Sequence, residues 1–132
     1  MNFTKSLLIL LIAITTNTAI AQKENTEKIL GCWVFKKIEY PSNLDVPKDG
    51  TPAPNSVTVC FETGGKYKTT SANSSEIITG KYQISEDGNT ITQQRDLQEE
   101  GTFDEDASIA FPDDKTIILK LEFASLYFER KL

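Results

Sequence analysis

The chain has 132 residues, with nineteen acidic and fourteen basic side chains and a formal net charge of −5. This length leaves room for one domain. The acidic balance argues against nucleic acid and anionic membrane surfaces as partners, because both attract basic patches. The chain contains no histidine, which excludes histidine-based catalytic triads and histidine-ligated zinc sites.

The first 21 residues have the pattern of a secretory signal peptide. Lys5 supplies the positive start, residues 7–14 are continuously apolar, and Ala19 and Ala21 are the small residues that a signal peptidase reads. The apolar run is too short to span a membrane, which takes roughly 20 residues. We therefore expect cleavage before Gln22, export to the periplasm or the medium, and a mature domain of residues 22–132.

An alternative interpretation of the N-terminal part of the chain is that Cys32 is a lipidated cysteine. Residues 29–32, Ile-Leu-Gly-Cys, resemble the box at which bacterial lipoproteins are cut. Such a box must directly follow the apolar segment, but residues 22–28 intervene and carry four charges. The sequence therefore favours a cleaved signal peptide over a surface lipoprotein.

The mature chain begins with a polar stretch, residues 22–28, for which we expect a loose arm. Residues 30–40 are rich in β-branched and aromatic side chains and predict a long first strand. Residues 41–55 contain four prolines, a density that forbids regular structure and predicts one long loop.

Short segments separated by turn signals follow this loop. In residues 56–62, Val57, Val59 and Phe61 alternate with polar neighbours, and the Gly64-Gly65 pair after them is typical of a hairpin. Further strands are predicted for residues 66–70, 77–84, 90–94, 108–111, 116–123 and 126–130. The acidic residues 96–106 are ambiguous, and no segment shows a helical period.

Eight short strands with a turn at every connection favour antiparallel hairpins over strand–helix–strand units. We therefore predict an all-β fold, a small eight-stranded antiparallel up-and-down barrel, with a β-sandwich as the alternative.

Closure of such a barrel brings the start of the first strand beside the end of the last. Trp33, the only tryptophan, stands near the first of these positions and Arg130 at the second. Leu126, Phe128 and Arg130 share one strand face, so an inward apolar pair takes the guanidinium inward as well. An indole face is a suitable partner for that cation. We predict that Trp33 and Arg130 stack at one end of the barrel and that Gly31 leaves room for the chain to fold over it. The alternative is that Trp33 is an ordinary core aromatic residue and Arg130 a solvated terminal charge.

Gly31-x-Trp33, eight predicted strands and an arginine that closes the last strand resemble the lipocalin superfamily, in particular its short bacterial lipocalin-like domains. The resemblance covers nearly all of the mature chain but rests on few residues, and the chain is shorter than larger lipocalins and shows no C-terminal helix. Avidin-like barrels also begin with Gly-x-Trp, but their set of pocket tryptophans has no counterpart here.

The resemblance implies a protein that holds a small hydrophobic molecule inside the barrel. Strand parity places aliphatic and aromatic side chains there, which suit an apolar ligand. The candidate ligand-binding residues are Phe35, Val59, Phe61, Tyr67, Ile78, Tyr82, Leu119, Leu121 and Phe128. The alternative is a barrel filled by its own side chains that acts through a protein partner, for example by the loop of residues 41–55.

Cys32 and Cys60 form an even pair that an oxidising compartment can bridge. Parity points both outward from the first two strands, which can be neighbours, but free thiols remain the alternative. Neither their spacing nor the acidic run at residues 99–106 matches a known metal motif. We predict no cofactor, no metal and no enzymatic activity, although some lipocalin relatives are enzymes.

Overall fold

The computed structural model describes residues 20–41, 51–97 and 101–132, with the side chains of residues 97 and 101–104 outside that description. A short α-helix covers residues 20–28. The eight strands are β1 (Gly31–Glu39), β2 (Val57–Glu62), β3 (Lys66–Ser71), β4 (Ser74–Ile84), β5 (Thr90–Leu97), β6 (Gly101–Asp113), β7 (Thr116–Lys120) and β8 (Ser125–Arg130).

The strands form a closed barrel in which each one is antiparallel to the next and β8 returns to β1. At this seam Trp33 stands opposite Arg130 and Phe35 opposite Phe128, with a bulge between Phe35 and Lys37. The predicted eight-stranded antiparallel barrel is confirmed, and the sandwich is excluded because no sheet edge is left open.

The helix corrects the expectation of a loose arm at residues 22–28. It is anchored to the β4–β5 turn, where the side-chain amide of Gln22 donates to the Ile84 carbonyl at 3.0 Å and that of Asn25 to the Gly88 carbonyl at 2.7 Å. A helix this short is marginal by itself. Contacts with the barrel therefore determine its structure, and a periodicity search could not detect them.

The β5–β6 hairpin is longer than the sequence predicted. The two strands pair from Thr90–Ser108 to Leu97–Gly101, and β6 includes most of the ambiguous acidic segment. Ladder hydrogen bonds join backbone groups and do not require apolar side chains. β7 is shorter than predicted, because the chain turns after Lys120 with a hydrogen bond from Leu121 N to Ala124 O of 2.8 Å.

The two ends of the barrel differ. We call the end with the start of β1 and the end of β8 the plugged end. This end contains the four most completely buried large side chains of the described residues, which are those of Ile29, Trp33, Ile91 and Ile117. At the opposite, open end are the β3–β4 and β7–β8 turns, the end of β5 and the start of β6. Residues 42–50 of the predicted long loop lie outside the described residues.

Candidate functional site

The predicted contact between Trp33 and Arg130 is present at the plugged end. The guanidinium carbon of Arg130 lies 4.3 Å from the centre of the Trp33 ring system, and Trp33 is only 1% exposed. The indole is also packed against Phe111, with the ring centres 6.2 Å apart. Burial of the indole and its contact with the guanidinium both stabilise the plugged end of the barrel.

The same two side chains bind the end of the helix. Arg130 donates from Nη2 to the Lys28 carbonyl at 2.7 Å and from Nη1 to the Leu30 carbonyl at 2.8 Å. Trp33 donates from Nε1 to the Ile29 carbonyl at 2.8 Å. The last carbonyls of a helix have no partner within it, so these three bonds fix the helix end over the barrel.

Gly31 is required at this point for two reasons. Its φ of +113° is a conformation that L side chains rarely adopt, and a Cβ there would lie 3.2 Å from Nη1 of Arg130. A larger residue would therefore strain the backbone and press on the guanidinium. Gly31 thus lies beside Arg130 at the plugged end of the barrel, where the sequence analysis placed it.

Cys32 and Cys60 form a disulfide, as their outward position on the first two strands suggested. They are directly opposite each other in the β1–β2 ladder, with Cα atoms 4.0 Å apart. A cysteine whose sulfur is in a disulfide cannot also carry a lipid thioether. The bridge therefore conflicts with the reading of Cys32 as a lipoprotein anchor.

The candidate ligand site is a cavity of about 260 Å³ inside the barrel. It extends from the middle of the barrel to Leu121, which precedes the β7–β8 turn at the open end. The lining residues are Val59, Tyr67, Thr69, Ile78, Gln93, Arg95, Glu105, Ala107, Leu119, Leu121, Leu126 and Phe128. This volume is just below the roughly 300–1,000 Å³ of typical ligand pockets, so it suits one small molecule.

Six of the nine predicted ligand-binding residues line this cavity: Val59, Tyr67, Ile78, Leu119, Leu121 and Phe128. Phe35, Phe61 and Tyr82 are buried but do not line it. The Phe61 and Tyr82 rings pack edge to face with centres 5.0 Å apart, and Phe35 packs on Phe128 at 5.8 Å. The structure thus assigns these three to the packed core, where parity alone could not distinguish core from cavity.

One wall of the cavity is polar and was missed by the sequence analysis. Gln93 and Arg95 from β5 and Glu105 from β6 lie there, beside the small Ala107. The apolar Ile91 on β5 could have revealed them: it is fully buried, and residues 93 and 95 lie on the same strand face, so they also point inward. The parity assignment included no residue of β5 and none of the acidic segment, so these polar side chains were overlooked.

Charged side chains in and beside this wall act on Tyr67. Arg95 makes an ion pair of 3.6 Å with the exposed carboxylate of Glu76. Burial raises the pKa of the Tyr67 hydroxyl, the nearby Arg95 charge lowers it, and Asp96 and Glu105 raise it. Tyr67 is therefore neutral at physiological pH, and its hydroxyl is a hydrogen-bond donor and acceptor.

The part of the chain that the structure describes contains no cluster of three or more cysteine, aspartate or glutamate side chains arranged to hold a metal. Among these residues there is likewise no helix long and apolar enough to cross a membrane.

Comparison with solved structures shows the same architecture elsewhere. A lipocalin-like protein from Bacteroides uniformis ATCC 8492 superimposes with a TM-score of 0.59 and 15% identity over 79% of this chain and 99% of its own. An uncharacterized protein from Bacteroides eggerthii DSM 20697 gives a TM-score of 0.60 and 15% identity over 78% of this chain and 99% of its own.

No protein-family model and no curated protein matches the sequence. At 15% identity the two structures establish architecture rather than activity. The chain has a lipocalin-like β-barrel fold.

Proposed function

We propose that this protein is a secreted or periplasmic binding protein that holds one small, mainly apolar molecule in the barrel. The observation that carries the proposal is the cavity of about 260 Å³ above the plugged end. Aliphatic and aromatic side chains from β2, β4, β7 and β8 surround most of it. Transfer of apolar surface from water into such a cavity is favourable.

The disulfide supports the exported location. Bridges of this kind persist in oxidising compartments and are rare where glutathione keeps thiols reduced. The signal-peptide pattern of residues 1–21 leads to the same location, although residues 1–19 lie outside the described part of the chain. Cleavage before Gln22 would retain both side chains that anchor the helix to the β4–β5 turn.

The cavity volume also bears on the alternative, a barrel filled by its own side chains that serves only a protein partner. Eight strands enclose just enough room for side chains or for one small ligand. Here the core side chains fill the plugged end, and the remaining volume adjoins the open end. This distribution favours ligand binding.

Titration with 1-aminoanthracene, a small neutral fluorescent amine, tests the proposal. Its fluorescence rises in apolar surroundings, and we expect saturable binding with one site per chain. Trp33 is a poor reporter because it lies in the plug and does not line the cavity.

Ala107→Leu is the variant that fills the cavity, and we expect it to weaken probe binding at least tenfold. Ala110→Leu is the matched control, since residue 110 lies on the same strand but on the opposite face from Ala107. Circular dichroism would confirm that both variants fold. Failure of the wild type to bind the probe, or equal losses in the two variants, would contradict the proposal.

A further inference from the structure

Tyr67 contributes its side chain to the polar wall of the cavity. Tyr67 is only 7% exposed, and among the described side chains and backbone none forms a hydrogen bond with its hydroxyl. The other core tyrosine differs, since Tyr82 donates to the Glu62 carbonyl at 3.0 Å. No buried side-chain polar atom of the described residues lacks a partner, so the Tyr67 hydroxyl is not sealed in the core and is accessible to a ligand in the cavity.

Gly80 determines where the Tyr67 ring lies. Tyr67 is opposite Gly80 in the β3–β4 ladder, and a Cβ at Gly80 would be 2.6 Å from Cε1 and 2.8 Å from Cζ of the ring. The ring therefore lies over the bare backbone of β4. Arg95 stands opposite Gly80 on the other side, in the β4–β5 ladder. The missing side chain lets the tyrosine reach toward the arginine.

Arg95 is the second group available to a ligand. It lines the cavity, and its ion pair with Glu76 is long, at 3.6 Å, and solvent-exposed at both partners. Exposed pairs of this kind contribute little free energy, so a ligand can replace Glu76 at small cost. Gln93 adds an amide to the same wall.

From this arrangement we infer that the ligand carries a carboxylate, bound by the Arg95 guanidinium and the Tyr67 hydroxyl, with its apolar body against the opposite wall. This inference rests on the proposed function and specifies its ligand class. A guanidinium fork matches the two oxygens of a carboxylate, and a hydroxyl supplies a further donor. The apolar body would then contact Leu119, Leu126 and Phe128.

Glu105 limits how tightly an anion binds. Its carboxylate lines the cavity but is exposed, so water screens much of its repulsion. Removal of this charge should favour an anionic ligand. We therefore expect Glu105→Gln to increase carboxylate affinity severalfold.

Competition between ligands with equal chains and different head groups tests the inference. Decanoate, decanol and decylammonium would each displace 1-aminoanthracene from the full chain at pH 7.5. We expect decanoate to bind at least tenfold more tightly than decylammonium. Arg95→Gln should reduce the ratio of decanoate to decanol affinity about tenfold, and Tyr67→Phe should weaken decanoate binding several times.

Two control variants separate a specific contact from changes in net charge or composition. Lys68→Gln removes one positive charge from the outer face of β3, and Tyr127→Phe removes a hydroxyl that donates to Glu39 on the outer face of the seam. Both should leave decanoate affinity unchanged. Tighter binding of decylammonium than of decanoate, or an unchanged affinity ratio in Arg95→Gln, would overturn the carboxylate inference alone. Absence of probe binding would overturn the proposed function as well.

Discussion

The two ends of this barrel contain similar polar and aromatic residues, but their side chains differ in whether they have partners within the protein. At the plugged end an indole, a guanidinium and a tyrosine hydroxyl all have protein partners, with hydrogen bonds to the carbonyls of Lys28, Ile29, Leu30 and Glu62. On the cavity side, a tyrosine hydroxyl and an arginine remain available. The comparison shows that these hydrogen bonds are concentrated at one end, while the proposed binding site lies toward the other.

The largest expected effect comes from removal of the plug. Trp33→Ala deletes the biggest fully buried side chain, the stack on Arg130 and a bond to the helix end. We expect a loss of about 3–5 kcal/mol in the free energy of unfolding, measured by urea denaturation followed by circular dichroism. Phe123→Ala is the open-end control, because that ring is 62% exposed and its loss should cost about 0.5 kcal/mol or less. Similar losses in both variants would refute the division of roles.

Loss of the disulfide is expected to have the next largest effect. The bridge joins residues 28 positions apart, and the chain-entropy relation gives about 3–4 kcal/mol for such a loop. A Cys32→Ala, Cys60→Ala double variant should lose about this much stability, measured against the oxidised wild type by the same denaturation. Binding of 1-aminoanthracene to the folded fraction should persist, because the bridge lies outside the barrel. Full stability in the double variant would contradict the assignment.

Arg130 gives an intermediate effect that depends on the shape of its side chain. Arg130→Ala removes the stack on Trp33 and leaves the Lys28 and Leu30 carbonyls without these donors. We expect a loss of about 1–3 kcal/mol. Arg130→Lys should recover only part of it, since an ammonium cannot reproduce the planar fork. Equal stability of wild type, lysine and alanine variants in thermal denaturation would show that the contact contributes nothing.

Substitution of the two core tyrosines, Tyr67 and Tyr82, should change the free energy of unfolding least. The two residues form a matched pair, because the same hydroxyl is removed from each. Tyr82→Phe removes the bond to the Glu62 carbonyl and should cost about 1 kcal/mol. Tyr67→Phe removes a hydroxyl without a described partner, so the free energy of unfolding should change by less than half as much. Chemical denaturation of both variants measures the difference. A larger loss from Tyr67→Phe would mean that this hydroxyl stabilises the fold itself.

Strand parity and barrel closure made the seam predictable. In an up-and-down barrel with an even number of strands, the first and last must be antiparallel neighbours, and this rule brings Trp33 to Arg130 from sequence positions alone. The same alternation placed Cys32 and Cys60 on one outer face. These predictions succeeded because they follow from topology and from the two-residue repeat of a strand.

Other features depend on contacts that alternation does not encode. The helix at residues 20–28 is fixed by Gln22, Asn25 and Arg130, whose partners are distant in sequence. The acidic part of β6 pairs through its backbone despite its unfavourable side chains. Whether an inward residue such as Phe61 fills the core or lines a cavity depends on three-dimensional packing.

The attachment of Arg130 to Lys28 and Leu30 has a consequence for when the protein folds. The bonded groups are 102 and 100 residues apart, so the ribosome must synthesise nearly the entire domain before they can meet. A barrel whose first and last strands pair across such a distance folds slowly compared with a helical bundle of equal length. The contact between Trp33 and Arg130 therefore forms late, and the barrel can close only after residue 130 has been synthesised.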